Sequence, residues 1–273
     1  MANAAATLQL ASLGWRMKQR QPFFLVSSAG IATFAVLPMA LAAIALVGPE
    51  ARHIHTFVEL AGTDNYMAFV TIGATAMIWS TQIGANVGFV LEDQRSDGTL
   101  GSIWSTPTSI LARLAGLGAS GMSIGIARTF IAFAVAWAIL RFPVSLDPLA
   151  LLAVLAASTF AVGAFGLIWA AFILRARAGM ILVQTLLMGM GILAGPAYPT
   201  TVLPDWAQAV GHLLPPTWMI RGLRATLVFN DAAAAWVSVA ALLGLGLAFG
   251  VCGMWLFAQF DRDARQRGHL EAF

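Results

Sequence analysis

The sequence contains few charged residues. Of its 273 residues, 10% are charged and 59% are hydrophobic, and the mean hydropathy is +0.82. A soluble domain carries about 25% charged residues. This deficit excludes an ordinary water-soluble protein, and the composition predicts an integral membrane protein.

Lysine and cysteine are almost absent, and each absence excludes a class of site. The single lysine, Lys18, is preceded by Met17, so the Gly-Lys-Ser/Thr sequence of a phosphate-binding P-loop cannot occur. The single cysteine, Cys252, excludes an intrachain disulfide and a cysteine-based metal site. His53 and His55 are two residues apart, which is a poor spacing for metal ligands. We therefore expect no metal, no cofactor and no catalytic residues on this chain.

Long hydrophobic runs are what the sequence has in abundance. A helix needs about 20 apolar residues to cross the hydrocarbon core of a bilayer. Six segments qualify, so we expect an all-α integral membrane protein whose six transmembrane helices form one domain over residues 1–273. The predicted spans are about 23–47, 66–91, 114–140, 149–174, 178–195 and 232–258.

Basic residues are unevenly divided between the two sides of this arrangement. With six spans both termini lie on one side, which holds ten lysines and arginines, whereas the other side holds four. The four are Arg52, Arg141, Arg221 and Arg224. Because cytoplasmic loops are enriched in basic residues, we expect both termini in the cytoplasm and the protein in the inner membrane. The net charge is only +3 and the basic residues form no stripe, so we expect no nucleic-acid partner.

One arginine, Arg128, falls inside the third predicted span. A charge within the membrane indicates a functional site by default, and this one could bind an anionic group of a substrate. Long arginine side chains also reach the interface readily, so a structural role is the favoured interpretation. No aspartate or glutamate lies in the core of a predicted span, which argues against ion-coupled transport.

Residues 8–21 predict an amphipathic helix that lies at the cytoplasmic interface. Its apolar face carries Leu10, Leu13 and Met17, whereas Arg16 falls on the polar face and Trp15 near the boundary.

A charged, turn-rich island, residues 92–112, separates the second and third predicted spans. A turn at Gly98 precedes a predicted short helix that would expose Leu100, Ile103 and Trp104. Three exposed apolar side chains are unfavourable in an ordinary solvated loop and indicate an interaction site. The island is therefore interpreted as a docking element for a partner.

A second irregular stretch, residues 195–218, contains five of the chain's 11 prolines. Its apolar middle, 206–214, is too short to cross the membrane. We expect a re-entrant or interfacial helical element on the outer side, with its irregular backbone buried in protein or lining a cavity.

Both irregular stretches resemble motifs of the membrane permeases of type-2 ABC exporters. The first motif, an acidic residue followed by Gly-Thr-Leu and Thr-Pro, corresponds to Glu92, Gly98, Thr99, Leu100, Thr106 and Pro107. The second, a Gly-x-x-x-Pro, Leu-Pro and Pro pattern that ends on an arginine, corresponds to Gly195, Pro199, Leu203, Pro204, Pro215 and Arg224. The sequence departs from the family's basic-acidic-basic run before Gly-Thr-Leu, since it reads "DQRSD" there. An ATPase partner is therefore expected to be matched to this chain.

The resemblance implies a transporter subunit that does not hydrolyse ATP itself. The island would be the coupling helix, docking with Ile103 and Trp104 on a separate ATPase that binds ATP and Mg²⁺. Residues 8–21 would be the connecting helix, and the proline-rich stretch the outer gate. Two permeases, identical or different, and two ATPases would form one exporter.

Substrate would pass between the two permeases, along a path lined mainly by the second and fifth spans. Candidate residues on the path are Trp79, Gln82, Asn86, Gln184 and Met188. The alternative for each of them is interhelical packing.

The expected substrate is hydrophobic or amphiphilic, such as a drug or a lipid-like compound. A polysaccharide or lipid-linked glycan is the alternative, but it calls for an aromatic-lined channel, and Trp79 and Trp169 form no run along one helix. A membrane anchor or sensor subunit would need no outer gate.

Overall fold

The computed structural model describes residues 55–96, 110–175 and 179–267. The predicted connecting helix with Leu10, Leu13, Trp15, Arg16 and Met17, and the predicted span 23–47, lie outside these ranges. So do the coupling residues Gly98, Thr99, Leu100, Ile103, Trp104, Thr106 and Pro107. Every regular element in the described ranges is helical, which confirms the predicted all-α class.

Eight α-helices make up the described chain. They are α1 (His55–Ala61), α2 (Tyr66–Ser96), α3 (Ile110–Leu140), α4 (Pro148–Arg175), α5 (Gly179–Leu193), α6 (Asp205–His212), α7 (Pro215–Arg224) and α8 (Ala232–Arg267). A 3₁₀ turn, Thr200–Val202, precedes α6, and a π-helical segment, Ala225–Phe229, continues α7.

Three of these helices contain a stretch long and apolar enough to cross a membrane. The stretches are Tyr66–Gly84, Pro148–Phe172 and Ala232–Gln259. Shorter apolar stretches occupy Gly125–Leu140 in α3 and Gln184–Leu193 in α5. In hydrocarbon a helix is favoured because it satisfies its backbone hydrogen bonds within one segment.

Each of these three helices, α2, α4 and α8, is preceded by a residue whose side chain caps its first turn. Asn65 Oδ1 accepts a hydrogen bond from the backbone N–H of Ala68, at 3.1 Å. Asp147 and Asp231 do the same for α4 and α8, at 3.2 Å and 3.0 Å. These are the residue types that satisfy unpaired N–H groups at a helix start.

The caps lie at one end of the bundle, where loops join neighbouring helices. Asn65 also donates from Nδ2 to the carbonyl of Pro143, at 3.2 Å. In the same loop, the Ser145 hydroxyl donates to the carbonyl of Thr226, at 2.8 Å. The α3–α4 loop thereby connects the start of α2 to the π-helical segment.

Helix α4 lies at the centre of the packing. It contacts α8 along much of its length and also packs against α2 and α7. The core between them includes Ile72, Val154, Met219 and Leu242, all fully or almost fully buried. Helix α3 packs along α2 as well but has few close backbone contacts with α4, although the Met122 side chain of α3 reaches Gly163 of α4. Helix α2 therefore lies between α3 and α4.

Candidate outer gate and substrate path

The five residues predicted for the outer gate lie in one segment, residues 195–218, which we call the outer segment. Gly195 follows the end of α5, and Pro199 directly precedes the 3₁₀ turn. Leu203 and Pro204 lead into α6, and Pro215 is the first residue of α7. Proline suits that last position, since the N–H it lacks would have no partner in the first helical turn.

Helix α5 ends in a tight turn that requires glycine. Gly195 has φ +62°, and a Cβ there would lie 2.8 Å from the carbonyl oxygen of Tyr198. A left-handed glycine is the usual way to end a helix. The Tyr198 hydroxyl donates to the carbonyl of Ile192, which caps the same helix end. Burial raises the pKa of Tyr198, so the hydroxyl remains a neutral donor.

Local hydrogen bonds hold the middle of the outer segment. The carbonyl of Pro204 accepts from the N–H groups of Ala207 and Gln208, at 2.9 and 3.0 Å. The Gln208 amide in turn donates to the carbonyl of Leu203, at 2.8 Å. The N–H of Val202 donates to the carbonyl of Pro199, at 3.2 Å. These bonds satisfy backbone groups in a stretch that proline keeps from forming one continuous helix.

Arg224, at the end of α7, ties the outer segment to α2. Only 6% of its surface is exposed. Its Nη2 donates to the carbonyls of Gly195 and Pro196 at 3.1 and 2.7 Å, and to that of Phe69 at 3.2 Å. Its Nε also donates to the carbonyl of Phe69, at 3.3 Å. The guanidinium carbon lies 3.3 Å from the centroid of the Phe69 ring, which adds a cation–π contact. We call these four residues the Arg224 junction.

The electrostatics of the junction depend on carbonyl dipoles. Two of the acceptors follow the C-terminus of α5, where the helix dipole favours a cation. Burial lowers the pKa of Arg224 to about 9, so the guanidinium remains charged at neutral pH. A buried charge is tolerated when it is hydrogen-bonded, and here Nε and Nη2 of Arg224 donate to three carbonyls, a set that the planar fork of arginine suits.

Gly73 lets α2 approach the outer segment backbone to backbone. A Cβ at Gly73 would lie 2.0 Å from the carbonyl oxygen of Pro196 and 2.6 Å from Nη2 of Arg224. A side chain there would push this loop and the guanidinium away from α2. The junction therefore depends on a glycine in α2 as well as on Arg224.

Arg224 is one of the four arginines predicted for the outer side of the membrane, and the count of basic residues made no prediction about its burial. One signal points to burial. Ile220, Leu223 and Leu227 flank Arg224 at helical spacing, so the arginine falls on the apolar face of α7. All three are buried. Arg221, three residues earlier, is exposed.

The candidate path residues lie on α2 and α5 and differ in their exposure. Trp79 is buried, and its ring lies 5.5 Å from that of Phe130 in an edge-to-face contact. Gln82 is partly buried in α2, which also contains Asn86. Gln184 and Met188 are exposed on α5, Met188 with 74% of its surface. Trp79 thus packs inside the protein, whereas Met188 lies on its surface.

Two further predicted residues lie on long helices. Arg128 is partly buried in α3, next to Thr129, whose hydroxyl donates to the carbonyl of Gly125 at 2.9 Å. Glu92 lies in the last turns of α2, which ends at Ser96. Helix α2 therefore continues into the beginning of the charged island.

An apolar cavity of about 290 Å³ borders the face of α2 next to the one that meets the Arg224 junction, about a quarter turn around the helix. Its lining comes from α2, α3, α4, α7, the π-helical segment and the loop between α3 and α4. Trp79 is the one predicted path residue among the lining side chains. Met219 and Leu223 of α7 lie at its inner wall. We call this cavity and its opening between α3 and α4 the lateral cleft.

Comparison with known families supports a transport role for this arrangement. The ABC-2 type transporter family model matches residues 15–228, from the predicted amphipathic helix to the π-helical segment. No curated protein matches the chain. The matched residues include the charged island, α2 to α7 and both ends of the Arg224 junction. The chain is therefore a multi-pass membrane permease domain and belongs to the ABC-2 type transporter family.

Proposed function

We propose that the chain is the permease subunit of an ATP-driven exporter with six spans and both termini in the cytoplasm. It moves a hydrophobic or amphiphilic substrate, drug-like or lipid-like, out of the cytoplasm across the inner membrane. A separate ATPase, docked on residues 92–112, supplies the energy. Two permease chains together form the path.

The observation that carries this proposal is the Arg224 junction. It joins Phe69 in the second predicted span to Gly195 and Pro196 at the end of the fifth. Those are the two spans that should line the path. A tie between their outer ends fits a closed outer gate, because moving them apart requires the Arg224 bonds to break or rearrange.

Helix α2 offers a direct connection between the gate and the ATPase. It runs without interruption over 31 residues, from Tyr66 to Ser96. At 1.5 Å per residue its length is about 46 Å, enough to cross a bilayer and extend beyond it. Gly73 near one end contacts the outer segment, and the other end leads into the island. Movement of a docked ATPase would therefore shift α2 relative to the carbonyls that Arg224 binds.

The exposed face of α5 suits contact with a second permease. Leu186, Met188 and Ile192 expose 47%, 74% and 62% of their surfaces there. In a Cys252→Ala background, Met188→Cys should form disulfide-linked dimers in membranes under mild oxidation. Val237→Cys, equally apolar and 60% exposed but on α8, is the matched control and should remain monomeric. Equal crosslinking at both positions would contradict a permease contact through α5.

Transport and coupling are tested in inverted membrane vesicles. Uptake of a fluorescent amphiphile should require ATP and a copurifying ATPase. Charged substitutions at Leu100, Ile103 and Trp104 should abolish both ATPase association and ATP-dependent uptake. Uptake driven by a proton gradient alone would overturn the mechanism, and uptake of only a lipid-linked glycan would replace the substrate class.

A further inference from the structure

The lateral cleft has the shape and chemistry of a lipid site. We propose that it binds a phospholipid of the surrounding membrane, with one acyl chain in the cavity and the phosphate beside Arg141. Such a site lies within one permease chain and is separate from a path between two chains. Its occupancy is independent of what that path carries.

The interior of the cleft is almost entirely apolar, and its one buried donor without a partner among the described residues is the indole N–H of Trp79. Its two lining hydroxyls already donate within their own helices, Thr75 to the carbonyl of Thr71 at 2.7 Å and Thr129 to that of Gly125 at 2.9 Å. The remaining lining side chains are hydrocarbon, aromatic or thioether groups. The volume of about 290 Å³ is roughly twice the 150 Å³ of an apolar cavity that holds benzene. An alkyl chain fits this combination.

The mouth of the cleft opens toward the membrane. Phe130 of α3 and Leu146 of the α3–α4 loop line the cavity, with 50% and 65% of their surfaces exposed. Large apolar side chains surround them, among them Trp137 on α3 and Leu152 on α4, exposed by 47% and 66%. In a membrane protein such a surface faces acyl chains. An acyl chain can therefore enter sideways past Phe130 and Leu146, since α3 and α4 have few close backbone contacts.

Arg141 belongs to the α3–α4 loop, which contributes Val144 and Leu146 to the cleft. It directly follows α3, and Val144, three residues later, lines the cavity. Its side chain is exposed, and within the described ranges its guanidinium makes no hydrogen bond or ion pair. A guanidinium binds phosphate oxygens well, through two parallel N–H groups. An anionic headgroup thus has a partner where an acyl chain would enter.

The backbone conformation at Arg141 would favour glycine, so the presence of an arginine at this position needs another reason. Its φ is +47°, which favours glycine, and its N–H donates to the carbonyl of Trp137 at 2.8 Å. The Trp137 indole donates to the carbonyl of Phe142 at 3.2 Å and holds the same turn. Glycine would end α3 here with less strain. The arginine side chain therefore contributes something other than helix termination.

An acyl chain bound in the cleft would affect the predicted outer gate through α7. Met219 and Leu223 line the cleft, and Leu223 is adjacent to Arg224 on α7. Filling the cavity would press α7 toward the Arg224 junction and favour its closed arrangement.

The first test uses the purified chain in vesicles that contain a phospholipid with a photoreactive diazirine near the end of one acyl chain. Label should concentrate on peptides with Phe130, Trp79 and Met219. Ala134→Trp narrows the cleft and should reduce this label several-fold. Ala138→Trp, one turn further on α3 and also exposed, does not line the cavity and should leave the label unchanged. Equal labelling in the two variants, or label spread evenly over the membrane-facing surface, would overturn the proposal.

The second test distinguishes binding of the phosphate headgroup from binding of the acyl chain. Arg141→Gly should lower phospholipid labelling several-fold and leave thermal stability unchanged or higher, because the glycine relieves the positive φ. Labelling by a diazirine diacylglycerol, which lacks the phosphate, should be the same in both proteins. Unchanged phospholipid labelling in Arg141→Gly would overturn the role of Arg141. Equal losses with both probes would do so too, because they would indicate a distorted cleft.

Discussion

Two neighbouring faces of the same helix, α2, are packed in different ways. On one side Phe69 and Gly73 contact the outer segment through backbone atoms and the Arg224 guanidinium. On the adjacent side Ile72, Ala76 and Trp79 border a cavity of about 290 Å³. The first side has no room for one methyl group, whereas the second has room for a small molecule. A helix built this way can keep a defined contact at the gate while its other side adapts to what occupies the cleft.

The largest effect should come from the side that carries the charge. Arg224→Ala removes four hydrogen bonds to three carbonyl oxygens, and the carbonyls of Gly195 and Pro196 lose a donor at a site that is largely shielded from solvent. Such a loss costs about 3 kcal/mol or more, because each buried unsatisfied group costs about 1–3 kcal/mol. We expect a lower thermal unfolding midpoint in detergent and faster substrate leakage through the outer gate.

Arg224→Lys sharpens this result. A lysine keeps the charge but presents a compact ammonium group instead of a planar fork. It should restore only part of the stability, because it cannot meet the carbonyls of Phe69, Gly195 and Pro196 with the same geometry. Full restoration by lysine would show that charge alone, without the fork, maintains the junction.

A smaller effect should follow from Gly73→Ala. Its methyl group would lie 2.0 Å from the carbonyl oxygen of Pro196, so the loop must shift. Overpacking of this kind costs about 1–3 kcal/mol, which exceeds the roughly 1 kcal/mol that alanine gains over glycine in a helix. Gly244→Ala on α8 is the control, since its Cβ would meet nothing within 4 Å. Melting curves should show a loss for the first variant and none for the second.

The helices could be predicted from the sequence because each depends on a local pattern of apolar residues and prolines. The apolar run of the second predicted span, 66–91, falls within α2, which begins at Tyr66 and ends at Ser96. The predicted short element at 206–214 overlaps α6, Asp205–His212. Each helix depends on residues close in the chain, and prolines mark the interruptions.

The Arg224 junction and the lateral cleft could not be predicted from the sequence, since both depend on segments that are distant in the chain. Arg224 binds a carbonyl 155 residues earlier, and a backbone acceptor leaves no mark in the type of residue that carries it. The motif pointed to Gly195 and Arg224, but the contact between them is a property of the fold. The cleft exists because α3 and α4 diverge, and Ala134 and Leu155 give no sign of that in their sequence.

On the cleft side of α2 a comparable substitution should be nearly neutral. Ala76→Val adds two carbon atoms three residues from Gly73, but Ala76 lines the cavity. We expect a change of less than about 1 kcal/mol, most of it from the lower helix propensity of valine. The same melting assay decides the comparison. A loss as large as that of Gly73→Ala would mean that the two sides of α2 do not differ in their tolerance.

The smallest effect is expected at Arg221, one turn before Arg224 on α7. Its guanidinium carbon lies 5.0 Å from the centroid of the Trp218 ring, and its side chain is exposed. An exposed cation–π contact contributes about 0.5–1 kcal/mol, so Arg221→Ala should shift the unfolding midpoint only slightly and leave gate leakage unchanged. Both substitutions remove one positive charge from the same helix. If they cost the same, the charge of α7 would matter and the carbonyl contacts would not. A large difference would assign the effect to the bonds that join α2 to the outer segment.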